Sequence, residues 1–155
     1  MIDYKIRIAR PDETGIIVHH RSAMFIEMGV DPMLVKDSEP LTYEWVKSRI
    51  ESGIYTGFFV VTADDMPVAG AGLSWLDWIP GPGVPQMRRG YILNVYTEPE
   101  HRHHGLANLL VQRCIDFCRE NGVGTISLHA SDMGRPIYEK LGFSTTNEMR
   151  NRLKL

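Results

Sequence analysis

Two cysteines in 155 residues are too few for a disulfide-built scaffold, the usual support of small secreted domains with thin cores. Cys114 and Cys118 stand four apart inside a helical pattern, where a bond between them would be strained. Both read as small buried thiols of a reducing compartment. Charge of one sign is not in excess either: 17 Lys and Arg oppose 19 Asp and Glu, a net charge of −2. That balance lacks the basic surplus of a dedicated nucleic-acid binder, so no nucleic acid is expected as a partner. No apolar run approaches the ~20 residues that cross a bilayer. The opening Met1-Ile2-Asp3-Tyr4-Lys5 has no basic stretch followed by an apolar one, so no secretory signal is expected, and a cytoplasmic location is. The 14 Gly and 9 Pro are scattered, which excludes a collagenous or low-complexity chain. No internal repeat or linker interrupts the pattern, and one domain over residues 1–155 is expected, long enough to bury a sizeable core.

Within that domain the hydrophobic period changes along the chain. Residues 4–9 alternate and read as a strand. Pro11, Asp12 and Glu13 suit a first helical turn, and Ile16, Ile17, Ala23, Met24 and Met28 continue it as a stripe. Residues 29–40 hold Gly29, Pro32 and Pro40 and read as a loop, after which Thr42 caps a second helix ended by Gly53. Strands follow at 55–62 and 68–78, the second weakened by Gly70 and Gly72. The Pro80–Pro85 stretch, dense in Pro and Gly, is a loop that connects strands rigidly, covers a cleft or meets a second subunit. A strand at 90–97, an amphipathic helix at 105–121, a strand at 125–129, a short helix capped by Asp132 and a last strand within 143–154 complete the order. The reading is an antiparallel meander feeding one right-handed β-α-β unit with parallel strands, an α/β (α+β) domain.

Chemistry concentrates where the 90–97 strand turns into a helix, at Glu98-Pro-Glu-His-Arg-His-His-Gly-Leu-Ala107. A helix N-terminus presents unpaired N–H groups and a partial positive charge, which together bind phosphate. Gly105 and the small Ala107 allow close approach to that backbone, and Arg102 adds a planar cation suited to phosphate. Arg88, Arg89 and the loop histidines are expected to back it. The segment is neither the dinucleotide fingerprint G-x-G-x-x-G nor a P-loop, which needs Gly-Lys-Ser/Thr. His101, His103 and His104 crowd one turn with no acidic or Cys partner at ligand spacing, so no metal is expected. His19 and His20 read as a surface pair.

Arg102-x-x-Gly105-x-Ala107, together with Ile137-Tyr-Glu-Lys-Leu-Gly-Phe143 downstream, resembles the GCN5-related N-acetyltransferase family. The first piece matches its pyrophosphate loop, Q/R-x-x-G-x-G/A, and the second its later YEKLGF segment. The resemblance implies the acyl-CoA N-acyltransferase fold: a mixed central sheet with an antiparallel N-terminal meander and a parallel β-α-β unit splayed to hold acetyl-CoA. It implies acetyl-CoA as co-substrate and an amine as acceptor. The cofactor would lie along Val95, Tyr96 and Thr97, with the thioester carbonyl on an N–H near Val95 or Tyr96. Its pyrophosphate would rest on Arg102, His103, His104, Gly105, Leu106 and Ala107. Ser131 stands where the family often has an Asn that bonds pantetheine amides.

Tyr138 matches the tyrosine that protonates the CoA thiolate, as a phenol neutral at pH 7 can. The amine must lose a proton, and His129 leads the candidates for that base, ahead of Glu98 and then Asp77. Trp75, Asp77 and Asn94 are candidates for the acceptor side. A small-molecule acceptor is favoured because no added domain docks a large one. The alternatives are a protein N-terminus or lysine as acceptor, or a non-catalytic acetyl-CoA sensor. A homodimer fits the fold and is undecided by the residues.

Overall fold

The computed structural model describes residues 3–155. Its sheet has five strands in the order β1 (Lys5–Ile8), β2 (Tyr55–Val61), β3 (Pro67–Asp77), β4 (Arg88–Thr97) and β5 (Ile126–Leu128). The first four pair antiparallel, and β5 runs parallel to β4. One face carries α3 (Leu106–Glu120), whose buried Leu110, Val111, Cys114 and Cys118 pack on Phe58, Leu73 and Ile92 of the strands. The other carries α1 (Thr14–Glu27) and α2 (Pro32–Glu51), with Ile17 and Val46 against Tyr55, Phe59 and Val61. The expected mixed sheet with its single parallel β-α-β unit is therefore present. Burial pushes the Cys114 thiol up to about 12 and the Cys118 thiol to about 11, so both stay protonated packing groups.

Two elements differ from expectation. Residues 29–40 are mostly helix: α2 begins at Pro32, capped by Asp31, whose side chain accepts the Met33 N–H at 2.8 Å. Asp-Pro is itself a helix-start signal, with Pro in the first turn, where its missing N–H costs no bond. Pro40 lies in the interior of α2. Thr42 caps nothing and instead donates its hydroxyl to the Ser38 carbonyl at 3.0 Å. The second difference is the last strand. Residues 143–155 form no strand, and they carry few β-branched or aromatic residues to favour a ladder. A short helix, α4 (Arg135–Lys140), precedes them, with Gly134 rather than the expected Asp132 at its N-cap.

The glycines that weaken the β3 pattern make room for what packs on it. A Cβ on Gly72 would collide with the Tyr55 hydroxyl, and one on Gly70 would lie 2.8 Å from His20 Nδ1. His20 is only 2% exposed, so it belongs to the interface between α1 and the sheet. Its partner His19 stays on the surface.

Candidate active site

β4 leaves its partners in two places. Its ladder with β5 covers only Gly90–Ile92, so from Leu93 to Thr97 that edge of β4 pairs with no strand among the described residues. Its register with β3 slips between Gly70 and Gly72, and Asn94 there is left-handed, with φ 58°. A bulge of this kind puts two consecutive side chains on one face. Leu93 and Asn94 both face α1 and α2, whereas Ile92 and Val95 pack toward α3. Asparagine is among the few side chains that tolerate this backbone.

The Asn94 side chain locks the bulge. Its amide donates to the Tyr55 hydroxyl at 3.2 Å, and its carbonyl accepts from Arg21 at 2.7 Å. A pocket of about 290 Å³ opens beside it. Arg21 of α1, Leu93 and Asn94 of β4, and Leu41, Thr42, Trp45 and Val46 of α2 line it. Neither Arg21 nor Tyr55 stands out in the sequence. What places them is the bulge, and an isolated Asn inside an apolar strand is its one visible trace.

Past β4 the chain makes a 3-10 turn at Pro99–His101 and enters α3 through Gly105. Gly105 is left-handed at φ 72°, and a Cβ there would touch nothing within 4 Å. The glycine is required for the turn conformation, and the space in front of it is open. The first N–H groups of α3, at Leu106 and Ala107, lack intrahelical partners and suit an anion. His103 is left-handed as well, at φ 65°, and both His103 and His104 are exposed. His104 uses Nδ1 on the Arg102 carbonyl at 2.8 Å, and His101 meets the Tyr4 hydroxyl at 2.8 Å.

The charge around this turn is arranged differently from the sequence reading. Arg102 donates to the Thr97 carbonyl at 3.0 Å and to Glu27 at 2.6 Å, so it braces the turn against β4 and α1. Arg88 and Arg89 do not back the loop. They lie at the opposite end of β4, stacked over Trp75 at 4.3 Å and Trp78 at 3.3 Å. A cation over an aromatic face gains from the ring quadrupole, and nothing in local sequence indicates that Trp partners would claim both.

Tyr138 of α4 packs beside Phe143 at the rim of the α3-side core, where Val95 also packs. Burial holds its phenol above the ordinary tyrosine value, so it keeps its proton at neutral pH. Ser131 accepts the Gly134 N–H at 3.1 Å, and a Cβ on Gly134 would come within 2.9 Å of the Tyr138 ring. Ser131, Gly134 and Tyr138 thus form one packed corner.

The base candidates are dispersed. His129 is the first residue past β5, exposed, with Nδ1 on the Tyr91 hydroxyl and Nε2 on Arg150. Glu98 follows β4 and faces α1, 2.9 Å from His19 Nε2 and 3.7 Å from His20 Nε2. Asp77 pairs with Arg88, six residues along β4 from Asn94, about 20 Å at strand rise. It borders a separate shallow hollow with Trp78 and Met87. Trp75 stacks on Phe117 of α3 at 5.8 Å, on the face opposite the pocket. Of the three residues expected on the acceptor side, the structure therefore puts Asn94 at the pocket and holds Trp75 and Asp77 away from it.

The acetyltransferase (GNAT) family model matches residues 23–143. The chain belongs to that family. A GCN5-related N-acetyltransferase from Ralstonia eutropha JMP134 is 34% identical, with 97% of this chain and 99% of that one covered and a TM-score of 0.91. A predicted acetyltransferase from Clostridium acetobutylicum, solved with acetyl-CoA, is 26% identical over 99% of this chain and 96% of that one, with a TM-score of 0.87. Glucosamine-6-phosphate N-acetyltransferase from Arabidopsis thaliana shares the fold at 16% identity and a TM-score of 0.67, with 97% and 98% covered. Among the described residues no helix is long and apolar enough to cross a membrane, and no group of three metal-ligating side chains gathers.

Proposed function

We propose that this acetyltransferase moves the acetyl group of acetyl-CoA directly to the amine of a small molecule. The observation that carries the reading is the parting of β4 from β5 after Ile92, beside the Asn94 bulge. The free edge from Val95 to Thr97 offers backbone groups to an extended acyl-pantetheine arm. The N–H near Val95 or Tyr96 receives the thioester carbonyl oxygen and steadies the negative charge that grows on it during attack. The backbone from Arg102 to Ala107, open in front of Gly105, accepts the pyrophosphate. Ser131, busy with the Gly134 N–H through one lone pair, retains its own hydroxyl proton for the arm.

The amine nitrogen bonds to the carbonyl carbon and the carbon–sulfur bond breaks. The Tyr138 hydroxyl hands its proton to the departing sulfur, and the proton lost by the amine goes to a base on the acceptor side. His129, at the end of β5, takes that duty, with Glu98, which His19 and His20 approach, second. The pocket of about 290 Å³ sits at the small end of ligand sites, which favours a small acceptor over a protein segment.

The test has two readouts. Acetyl-CoA should raise the melting temperature, and thiol release should depend on an added amine. Tyr138→Phe should lower kcat by about 100-fold and leave acetyl-CoA stabilisation unchanged. Stabilisation without amine-dependent thiol release over a broad panel would instead identify a sensor.

A further inference from the structure

The pocket at the β4 bulge has an uncommon charge arrangement. Among the described residues, Arg21 is the only charged side chain lining it. Its guanidinium is half-buried, stacks on Phe25 at 4.7 Å and donates to the neutral Asn94 carbonyl. Arg7, Arg102 and Arg113 meet carboxylates, on Glu13, Glu27 and Glu120, and Arg88 and Arg89 lie over tryptophans away from the pocket. Among the described residues no carboxylate lies within ion-pair distance of Arg21. Burial accordingly holds its pKa below the ordinary value. A desolvated cation without a counter-charge is unfavourable, and an anion entering the pocket would relieve it.

The walls around that cation are apolar. Val46 is buried at the base, Trp45 and Leu93 form the sides, and Leu41 stands at the rim 78% exposed. An apolar side chain at a pocket mouth with nothing over it is suited to cover a ligand's own apolar group. The single guanidinium matches one planar carboxylate, through the paired N–H geometry that arginine offers. A phosphate, with more charge to balance, would call for further donors. A second ammonium group on the acceptor would be repelled, which disfavours polyamines and other polycationic amines. The position is also appropriate for the chemistry. Arg21 is bonded to Asn94, and Asn94 directly precedes Val95, where the thioester carbonyl is received.

We propose that the acceptor is an amino carboxylic acid with an apolar side chain. Arg21 holds its carboxylate, and Leu41, Trp45 and Leu93 hold the side chain. This rests on the acetyl-transfer reading and names the substrate class of the same site.

The experiment compares thiol release from acetyl-CoA with phenylalanine, leucine and methionine, with phenylalaninamide, and with the carboxyl-free amines phenethylamine and isoamylamine. The wild-type protein should favour the acids in kcat/KM by about 100-fold over amine and amide, the range of a buried charge-assisted hydrogen bond. Arg21→Gln should erase that preference by lowering the acids about 100-fold more than the amine and amide. Arg21 also supports the bulge, so Leu41→Ser, at an exposed position, is the second variant. It should lower kcat/KM for phenylalanine and leucine by about 10-fold and leave glycine unaffected.

A binding arm separates the two readings. With CoA present, N-acetylphenylalanine should raise the melting temperature and N-acetylphenethylamine should not. That difference should vanish in Arg21→Gln. If acids and amines are handled alike in both arms, the carboxylate assignment is overturned while acetyl transfer stands. If carboxylate-dependent stabilisation appears without thiol release from any amine, the acetyl-transfer reading fails and the Arg21 site stands.

Discussion

Tyr55, Gly72 and Asn94 show how much of the candidate site depends on single side chains fitting together across strands. The Tyr55 hydroxyl is buried, and its burial raises the phenol well above the ordinary value. It remains a neutral partner for the Asn94 amide at 3.2 Å, and Gly72 leaves the space in which it lies. Gly72→Ala puts a methyl group into that space. Overpacking of this kind costs about 1–3 kcal/mol, so urea unfolding should show a loss of roughly 2 kcal/mol. Because Tyr55 would be pushed against Asn94, amine turnover should fall more than acetyl-CoA binding does. The sequence marks Gly72 only as a weak point in a strand. Its meaning lies in a contact with a residue 17 positions away.

At the scale of elements, α2 is the instructive case. It is a 20-residue helix with a proline in its interior, where the ring removes one hydrogen bond and crowds the preceding turn. The apolar face of α2, through Val35 and Val46, binds it to the rest of the domain in spite of that. Pro40 is exposed, so Pro40→Ala should restore the bond without disturbing the core. The expected outcome is a stability gain of roughly 1–3 kcal/mol by chemical denaturation. The Asp31-Pro32 start of this helix was readable in local chemistry. Its continuation through Pro40 was not, because tertiary burial overrode a strong local breaker.

The same scale explains β4. Its strand character and its turn into α3 follow from apolar residues and from Gly105. The end of its pairing with β5 and the bulge at Asn94 do not, since register is a property of two strands. The last strand expected within 143–154 did not form, and that stretch carries few β-branched or aromatic residues to favour pairing with the sheet.

Across the whole molecule, stability should vary with pH through two separate buried groups. His20, between α1 and the sheet, is pushed down to about 4 by burial, against a smaller upward pull from Glu98. The unfolded chain therefore binds this proton first as pH falls, and folding loses stability from about 6.5 down to 4. The full effect is roughly 3 kcal/mol. Glu13, 7% exposed and paired with Arg7 and Arg10 at 2.8 and 2.9 Å, resists protonation as well, but because its ion pairs favour the charged form. The Arg7 hydrogen bond holds its carboxyl below the ordinary 4.5, so its contribution is complete above that value and is lost as pH falls beneath it. Melting temperatures between pH 7 and 3 should drop in two phases. His20→Gln should flatten the phase above pH 4, and Glu13→Gln the phase below it. A single drop unaffected by either variant would contradict this account.

The amino-acid sequence by itself determined the order of elements as far as the short helix at Tyr138, the glycine turn into α3 at Gly105 and the family, through Arg102-x-x-Gly105-x-Ala107 and the Tyr138 segment. Those features are local: hydrophobic period, helix-end chemistry and short motifs act over a few neighbouring residues. Only the tertiary structure decided where charge and specificity lie. It sent Arg88 and Arg89 to tryptophans, Arg102 to Glu27 and His20 into the interior, and it left Arg21 facing an apolar pocket without a carboxylate. A charged side chain's role depends on which partners and how much water surround it, and those are set by residues distant in the chain.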